Sequence, residues 1–196
     1  MAHKFPPDRW AKLLDDDRRR MLPPGELLEA IGVEAGSVVA DLGAGPGYFT
    51  FPLAERVGPG GRVYALDVQP EMVEVLRRRE PPSNVAVMES GESEFPLESS
   101  SVDLAFLAFV LHELADARAF LAEVRRVLRP GGRLAVLEWE PIEEAIGPPL
   151  RERLSAEEVE RVLGSASFRV TREGRPNSSV FWIVAEPDGD AERRDG

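Results

Sequence analysis

The sequence predicts an α/β fold of three layers: a mostly parallel sheet with helices on both faces, closed by an antiparallel hairpin at its C-terminal end. Three observations predict it. The apolar run Val38-Val39-Ala40 leads straight into Asp41-Leu42-Gly43-Ala44-Gly45-Pro46-Gly47, a strand breaking into a glycine loop and then a helix. The run from Val102 to Phe109 is apolar throughout after Asp103, as in a central parallel strand buried on both faces. Near the C-terminus, Phe168 to Glu173 and Val180 to Glu186 read as two strands joined by Gly174-Arg175-Pro176-Asn177-Ser178, the pattern of a hairpin.

Along the chain, residues 1–22 are polar and charged with apolar anchors at Trp10, Leu13, Leu14, Met21 and Leu22. They read as an arm of one or two short helices packed over the domain edge. A helix from Gly25 to Ile31 leads into the core. The first strand spans Ser37 to Asp41, and its helix Tyr48 to Val57. The second strand, Arg62 to Asp67, precedes a helix starting near Pro70. A short third strand covers Asn84 to Met88. After the fourth strand, a helix from Ala115 to Leu128 is stopped by Pro130-Gly131-Gly132, and the fifth strand covers Arg133 to Glu138. Ser155 with Glu158 three residues on marks the start of a helix to Leu163. The polar residues 187–196 form a tail expected to be disordered.

The glycine loop carries the chemistry. Gly43, Gly45 and Gly47 remove every Cβ where a ligand approaches the backbone, and the helix behind them is expected to aim its free N–H groups at that ligand. The dinucleotide fingerprint G-x-G-x-x-G fails because position 48 is Tyr, and no G-x-x-x-x-G-K-[ST] occurs. Asp41 repels a phosphate but attracts an ammonium, so a nucleoside cofactor with an α-amino group and a sulfonium fits the sign. Asp67 ends the second strand at the position of a ribose acceptor, its two oxygens able to take both hydroxyls. It also reads as the start signal of the next helix, and the two roles are compatible.

Four blocks make the chain resemble a class I S-adenosylmethionine-dependent methyltransferase: VVADLGAGPGYFT, RVYALDVQPEMVEVL, FPLESSSVDLAFLAFVLHEL and FLAEVRRVLRPGGRLAVLEW. The match covers roughly Pro23 to Trp139, within the broad group that includes ubiquinone and menaquinone biosynthesis methyltransferases. The resemblance implies a Rossmann-like sheet in the order 3-2-1-4-5-7-6 and a cofactor-binding domain over residues 23–186. It assigns Gly43, Ala44, Gly45 and Gly47 to the methionine part of the cofactor and Asp41 to its amino group. Asp67 goes to the ribose, Val68 to the adenine, and Ala108 and Phe109 beside the cofactor. Where the family carries an Asp for the adenine amine, this chain has Gly91. Glu92 or a nearby backbone carbonyl then takes that contact, or Glu92 is a solvent-exposed loop acid.

Methyl transfer needs the acceptor positioned against an electrophile that is already strong. A phenol or amine acceptor also needs a base, and His112, just after the fourth strand, is the candidate. Its other reading is a helix cap or a pocket-shaping residue. The second histidine, His3, lies in the arm. His112-Glu113 is no metalloprotease motif, since position 116 is Asp, and no metal is expected. The acceptor pocket is expected from the arm and the segment after the fifth strand, with Trp10, Met21 and Trp139 as contacts and Leu14, Leu22, Ile142, Glu138 and Glu140 as further candidates.

Composition narrows the partners. A formal net charge of −11 without a basic stripe disfavours a nucleic-acid substrate, whose backbone is held by Lys and Arg. No apolar run approaches the ~20 residues of a membrane span, and no signal-peptide core opens the chain, so a cytoplasmic monomer or homodimer acting on a small molecule is expected. The chain has no cysteine, which removes disulfides, thiolate nucleophiles and Cys-ligated metals. Two rival readings stand: a non-catalytic S-adenosylmethionine-binding sensor or interaction subunit, and a nicotinamide-dependent oxidoreductase.

Overall fold

In a computed structural model, residues 5–189 are described. His3 and the tail from residue 190 lie outside them. One seven-stranded sheet runs in the order β3-β2-β1-β4-β5-β7-β6, with β1 at Val38–Leu42, β2 at Arg62–Asp67, β3 at Val85–Glu89, β4 at Val102–Ala108, β5 at Leu128–Trp139, β6 at Phe168–Gly174 and β7 at Val180–Pro187. The first five strands are parallel, and β7 pairs antiparallel with both β5 and β6. Helices α1 (Asp16–Met21), α2 (Pro24–Ile31), α3 (Thr50–Val57), α4 (Pro70–Arg78), α5 (Ala117–Val127) and α6 (Ala156–Ser165) complete the chain, preceded by a 3-10 helix at Pro7–Leu14.

The strands alternate between two cores because successive side chains point to opposite faces. On one face Leu42, Leu66, Leu107, Val136 and Ile183 pack with Leu121, Val124, Val159 and Leu163 of α5 and α6. On the other, Val39, Val63, Phe106, Leu137 and Trp182 pack with Leu28, Ile31, Leu53 and Val57 of α2 and α3. Burial on both faces is what the continuous apolar run in β4 requires. The capping box at Ser155 and Glu158 forms as expected: Glu158 N donates to Ser155 Oγ at 3.2 Å and Ser155 N to Glu158 Oε2 at 2.8 Å.

Two elements differ from expectation. α5 ends at Val127, and Pro130-Gly131-Gly132 does not separate it from a strand starting at Arg133. The strand already begins at Leu128, which pairs with Val102, and the Pro-Gly-Gly stretch is an irregularity between that pair and Leu104↔Arg133. Phe109 belongs to no strand. It follows β4 at φ +61°, a left-handed conformation that is costly for a bulky residue, while its N–H donates to Leu137 O at 2.8 Å.

The register brings the functional segments level. Asp41 and Leu42 lie beside Ala65 and Leu66 on one side, with Leu42 beside Leu107 on the other. Ala108 lies beside Leu137. The chain leaves β1 and β4 on a single rim where the strand order reverses, the usual place for a ligand in an open α/β sheet.

Candidate active site

A cavity of about 700 Å³ opens on this rim. The loop after β1 forms its floor with Gly43, Ala44, Gly45 and Pro46, and Asp67 and Val68 after β2 form one side. Ser90, Gly91 and Glu92 after β3, Phe109 and His112 after β4, and Trp139 at the end of β5 continue the wall. The N-terminal arm covers it with Phe5, Arg9, Leu13, Arg18 and Met21.

On the β1–β2 side the geometry is set by backbone. Gly43 and Gly45 hold φ values of +74° and +53°, which fold the loop tightly. Its amides turn inward: Gly43 N and Ala44 N both donate to Leu66 O, Gly45 N to Asp67 Oδ2 at 2.7 Å, and Gly47 N to Ala44 O. With those donors committed the loop is no phosphate cradle, whereas two carboxylates face the cavity. Asp41 is 3% exposed and accepts from Thr50 Oγ1 at 2.6 Å. Burial pushes its pKa up to about 7, Thr50 opposes the rise, and the charge of Asp67 adds to it. Asp67 Oδ1 accepts from Gln69 N at 2.9 Å, so the carboxylate ties the glycine loop to the start of α4. Acid placement, committed amides and the apolar Met72, Phe95 and Phe120 on the wall fit a nucleoside bearing an ammonium and a sulfonium.

The β4–β5 side is built from side chains. A single-turn 3-10 helix, Leu111–Glu113, carries His112. Its Nδ1 lies 2.8 Å from Glu138 Oε2 and 3.1 Å from Oε1, and its backbone N–H donates to Oε1 at 3.2 Å. The two side chains are 5% and 0% exposed, so this contact is dry. Burial alone lowers the His112 pKa, but the hydrogen bond and charge of Glu138, helped by Glu113 and Glu152, outweigh it and raise the pKa above 6.5. With Nδ1–H donated to Glu138, Nε2 holds the free lone pair. Glu113 is pushed up to about 7, chiefly by burial, against the pull of His112 and a hydrogen bond from the Phe5 backbone.

Around the dyad, Phe109 packs on Trp139 with ring centres 4.7 Å apart. The Arg153 guanidinium lies 5.6 Å from the Trp139 ring and donates to the carbonyls of Pro148 (3.0 Å), Glu140 (3.1 Å) and Ile146. One buried side chain thus gathers the segment between Glu140 and Arg153 into the cavity wall.

Most expected site residues meet here: Asp41, Gly43, Ala44, Gly45, Asp67, Val68, Gly91, Glu92, Phe109, His112, Met21 and Trp139 all line the cavity. Gly47 and Trp10 are not on its wall. A Cβ on Gly47 would sit 2.4 Å from Leu76 Cδ1 and 3.1 Å from Phe51, at φ +88°, so that glycine serves close packing behind the loop. In the 3-10 helix Arg9, Lys12 and Leu13 line the cavity and Trp10 does not. Ile142 is 40% exposed, Glu140 Oε1 accepts from Arg175 Nε at 2.9 Å, and Leu22 is in the core. Gly91 N donates to Glu94 O, and Glu92 Oε1 accepts from Ala115 N at 2.9 Å, so Glu92 is anchored and not a free loop acid. The cap of α5 is Asp116, not His112. Sequence reasoning missed that Glu138 serves His112, and it missed Arg18 altogether. The strand ends carried the first signal, since Ala108↔Leu137 puts the residue after Leu137 next to the exit of β4. Among the described residues no three His, Cys, Asp or Glu side chains are placed to hold a metal ion, and no helix is long and apolar enough to cross a membrane.

Known proteins resemble this chain in sequence and in fold. Residues 40–136 match the methyltransferase domain family. A crystal structure of an S-adenosylmethionine-dependent methyltransferase from Aquifex aeolicus superposes with a TM-score of 0.89 at 37% identity, covering 93% of this chain and 98% of that one. An uncharacterized methyltransferase of Mycobacterium tuberculosis is 42% identical over 131 residues, 67% of this chain and 51% of the relative. A ubiquinone/menaquinone biosynthesis C-methyltransferase of Hahella chejuensis is 34% identical over 116 residues, 57% and 47% of the two chains. The chain belongs to the class I S-adenosylmethionine-dependent methyltransferases, and S-adenosylmethionine is the cofactor of that class. It spans about half the length of the curated Mycobacterium and Hahella relatives it matches.

Proposed function

We propose that this protein transfers a methyl group to a small acceptor and that His112, held by Glu138, removes the acceptor's proton. The observation that carries the reading is a dry His–carboxylate pair whose imidazole, His112, lines the same cavity as the glycine loop while Glu138 is buried behind it. S-adenosylmethionine, when bound, supplies an activated methyl on a sulfonium. The chain's own residues do the rest. Gly43, Ala44 and Gly45 let the ligand approach the backbone, Asp41 faces the amino group, and Asp67 takes the ribose. Val68 and Met72 flank the adenine, with Ser90, Gly91 and Glu92 at its rim. His112 Nε2 accepts the proton of an O–H or N–H, and Glu138 stabilises the imidazolium so formed. A cavity of about 700 Å³ covered by the arm and the segment after β5 holds a nucleoside and a small molecule, not a folded substrate. Residues 1–22 act as the arm over the cofactor domain, 23–186.

Calorimetric titration of cofactor-stripped protein with S-adenosylmethionine, S-adenosylhomocysteine and NADH tests the reading. Micromolar binding of both sulfur nucleosides without an NADH signal is expected, followed by turnover in a screen of phenols and amines. Binding of NADH alone would sink it.

A further inference from the structure

Arg18 points into the cavity from α1 and has no evident partner there. Its guanidinium carbon lies 5.0 Å from the centre of the Tyr48 ring and 5.1 Å from that of Phe109. Its Nε is shut off from solvent and, among the described residues, has no hydrogen-bond partner. Of the acids beside it in sequence, Asp15 accepts the backbone N–H of Arg18 at 2.7 Å as the cap of α1 and reaches the guanidinium through its charge alone, and Asp17 pairs with Arg20. Aromatic faces attract a cation but accept little from its in-plane N–H groups. Burial lowers the Arg18 pKa, the mark of a charge whose hydration has been removed without full compensation, yet an arginine stays charged.

The placement of Arg18 is enforced. Tyr48, directly after the glycine loop, donates its hydroxyl to Leu22 O at 2.7 Å and lies 3.2 Å from Arg18 O. Asn177 Nδ2 donates to Met21 O at 2.9 Å. The last turn of α1 is therefore fastened from both the cofactor loop and the β6–β7 hairpin. A cation held this firmly between two aromatic faces, with an orphaned donor, is organised to receive an anion.

We propose that Arg18 is the receptor for a planar carboxylate inside the cavity, carried by the amino-acid end of the cofactor or by the methyl acceptor. Guanidinium meets carboxylate through two parallel N–H···O bonds, which neither lysine nor an amide reproduces. The proposal rests on the cavity being the cofactor and acceptor site.

Titration of wild type, Arg18→Gln and Arg18→Lys tests it, with S-adenosylhomocysteine, its decarboxylated analogue, and benzoate as a planar anion. If the cofactor supplies the carboxylate, Arg18→Gln weakens S-adenosylhomocysteine about 10- to 100-fold, the worth of a charge-assisted pair, and leaves the decarboxylated analogue unaffected. If the acceptor supplies it, nucleoside affinity is unchanged and only wild type binds benzoate. Arg18→Lys falls between in either case. Wild-type affinity of Arg18→Gln for both ligands overturns the proposal, including the outcome in which only its melting temperature drops, since that marks a packing role. Failure of wild type to bind any nucleoside sinks the cofactor reading instead, and the benzoate comparison on cofactor-free protein then decides for Arg18 by itself.

Discussion

The two sides of the cavity are made differently. On the β1–β2 side, backbone does the shaping: left-handed glycines, inward-turned amides and two carboxylates at strand ends hold one geometry within residues 41–69. On the β4–β5 side, side chains from distant segments assemble the wall. His112 depends on Glu138, Trp139 on Phe109 and Arg153, and Arg18 on Tyr48. A site for an invariant ligand can be built from local backbone, whereas a site for a variable ligand is built from exchangeable side chains on separate elements. In the function proposed above, the difference also separates what each side contributes: binding on one, chemistry and selectivity on the other.

That comparison breaks most visibly at His112. Replacing His112 by Ala is expected to lower turnover ~10²–10⁴-fold at unchanged nucleoside affinity. Glu138→Gln is the finer probe. Glu138 raises the His112 pKa, and the base is lost as pH falls through that pKa. Removing the charge therefore shifts the acid limb of the kcat profile to lower pH. An unshifted limb would detach Glu138 from the chemistry, and a wild-type rate in His112→Ala would leave His112 a pocket residue.

On the other side, Asp67→Ala is expected to cost about 1.5–3 kcal/mol of cofactor binding, the value of hydrogen bonds to a charged group. Calorimetry reads this directly, and unchanged affinity would remove Asp67 from the ribose. The smallest effect is expected from Gly47→Ala, about 1–3 kcal/mol of fold stability from a crowded left-handed position. Its denaturant midpoint should fall while the purified protein keeps its cofactor affinity. Lost affinity at full stability would return Gly47 to the ligand-binding loop.

Legibility in the sequence followed the same division. The strand order and the hairpin emerged as the resemblance implied, because alternating and continuous apolar runs fix strands and the family pattern fixes their order. The glycine loop, Asp41 and Asp67 were legible because their partners lie within a few residues or one strand away. The inward turn of the loop amides was not, since residue type does not fix which way a backbone N–H points. Gly47 looked like its two neighbours in sequence, but it lies off the cavity wall, crowded by Leu76, 29 positions on, and by Phe51. Glu138 read as a generic polar wall residue because its partner is 26 residues earlier. Trp10 read as a contact for its size, whereas its smaller neighbour Leu13 is the apolar residue of the 3-10 helix that reaches the cavity.

Arg153 has a consequence for which positions of this wall tolerate change. One guanidinium collects the carbonyls of residues 140, 146 and 148, so much of the stretch between is fastened through main-chain atoms that any residue supplies. The side chain of Ile142 is 40% exposed and bears little of that fastening. Gly147 is the opposite case: at φ +81°, a Cβ there would sit 2.9 Å from Trp139 and 3.0 Å from Arg153, so the clasp that leaves its neighbours open to substitution closes tightly on one glycine.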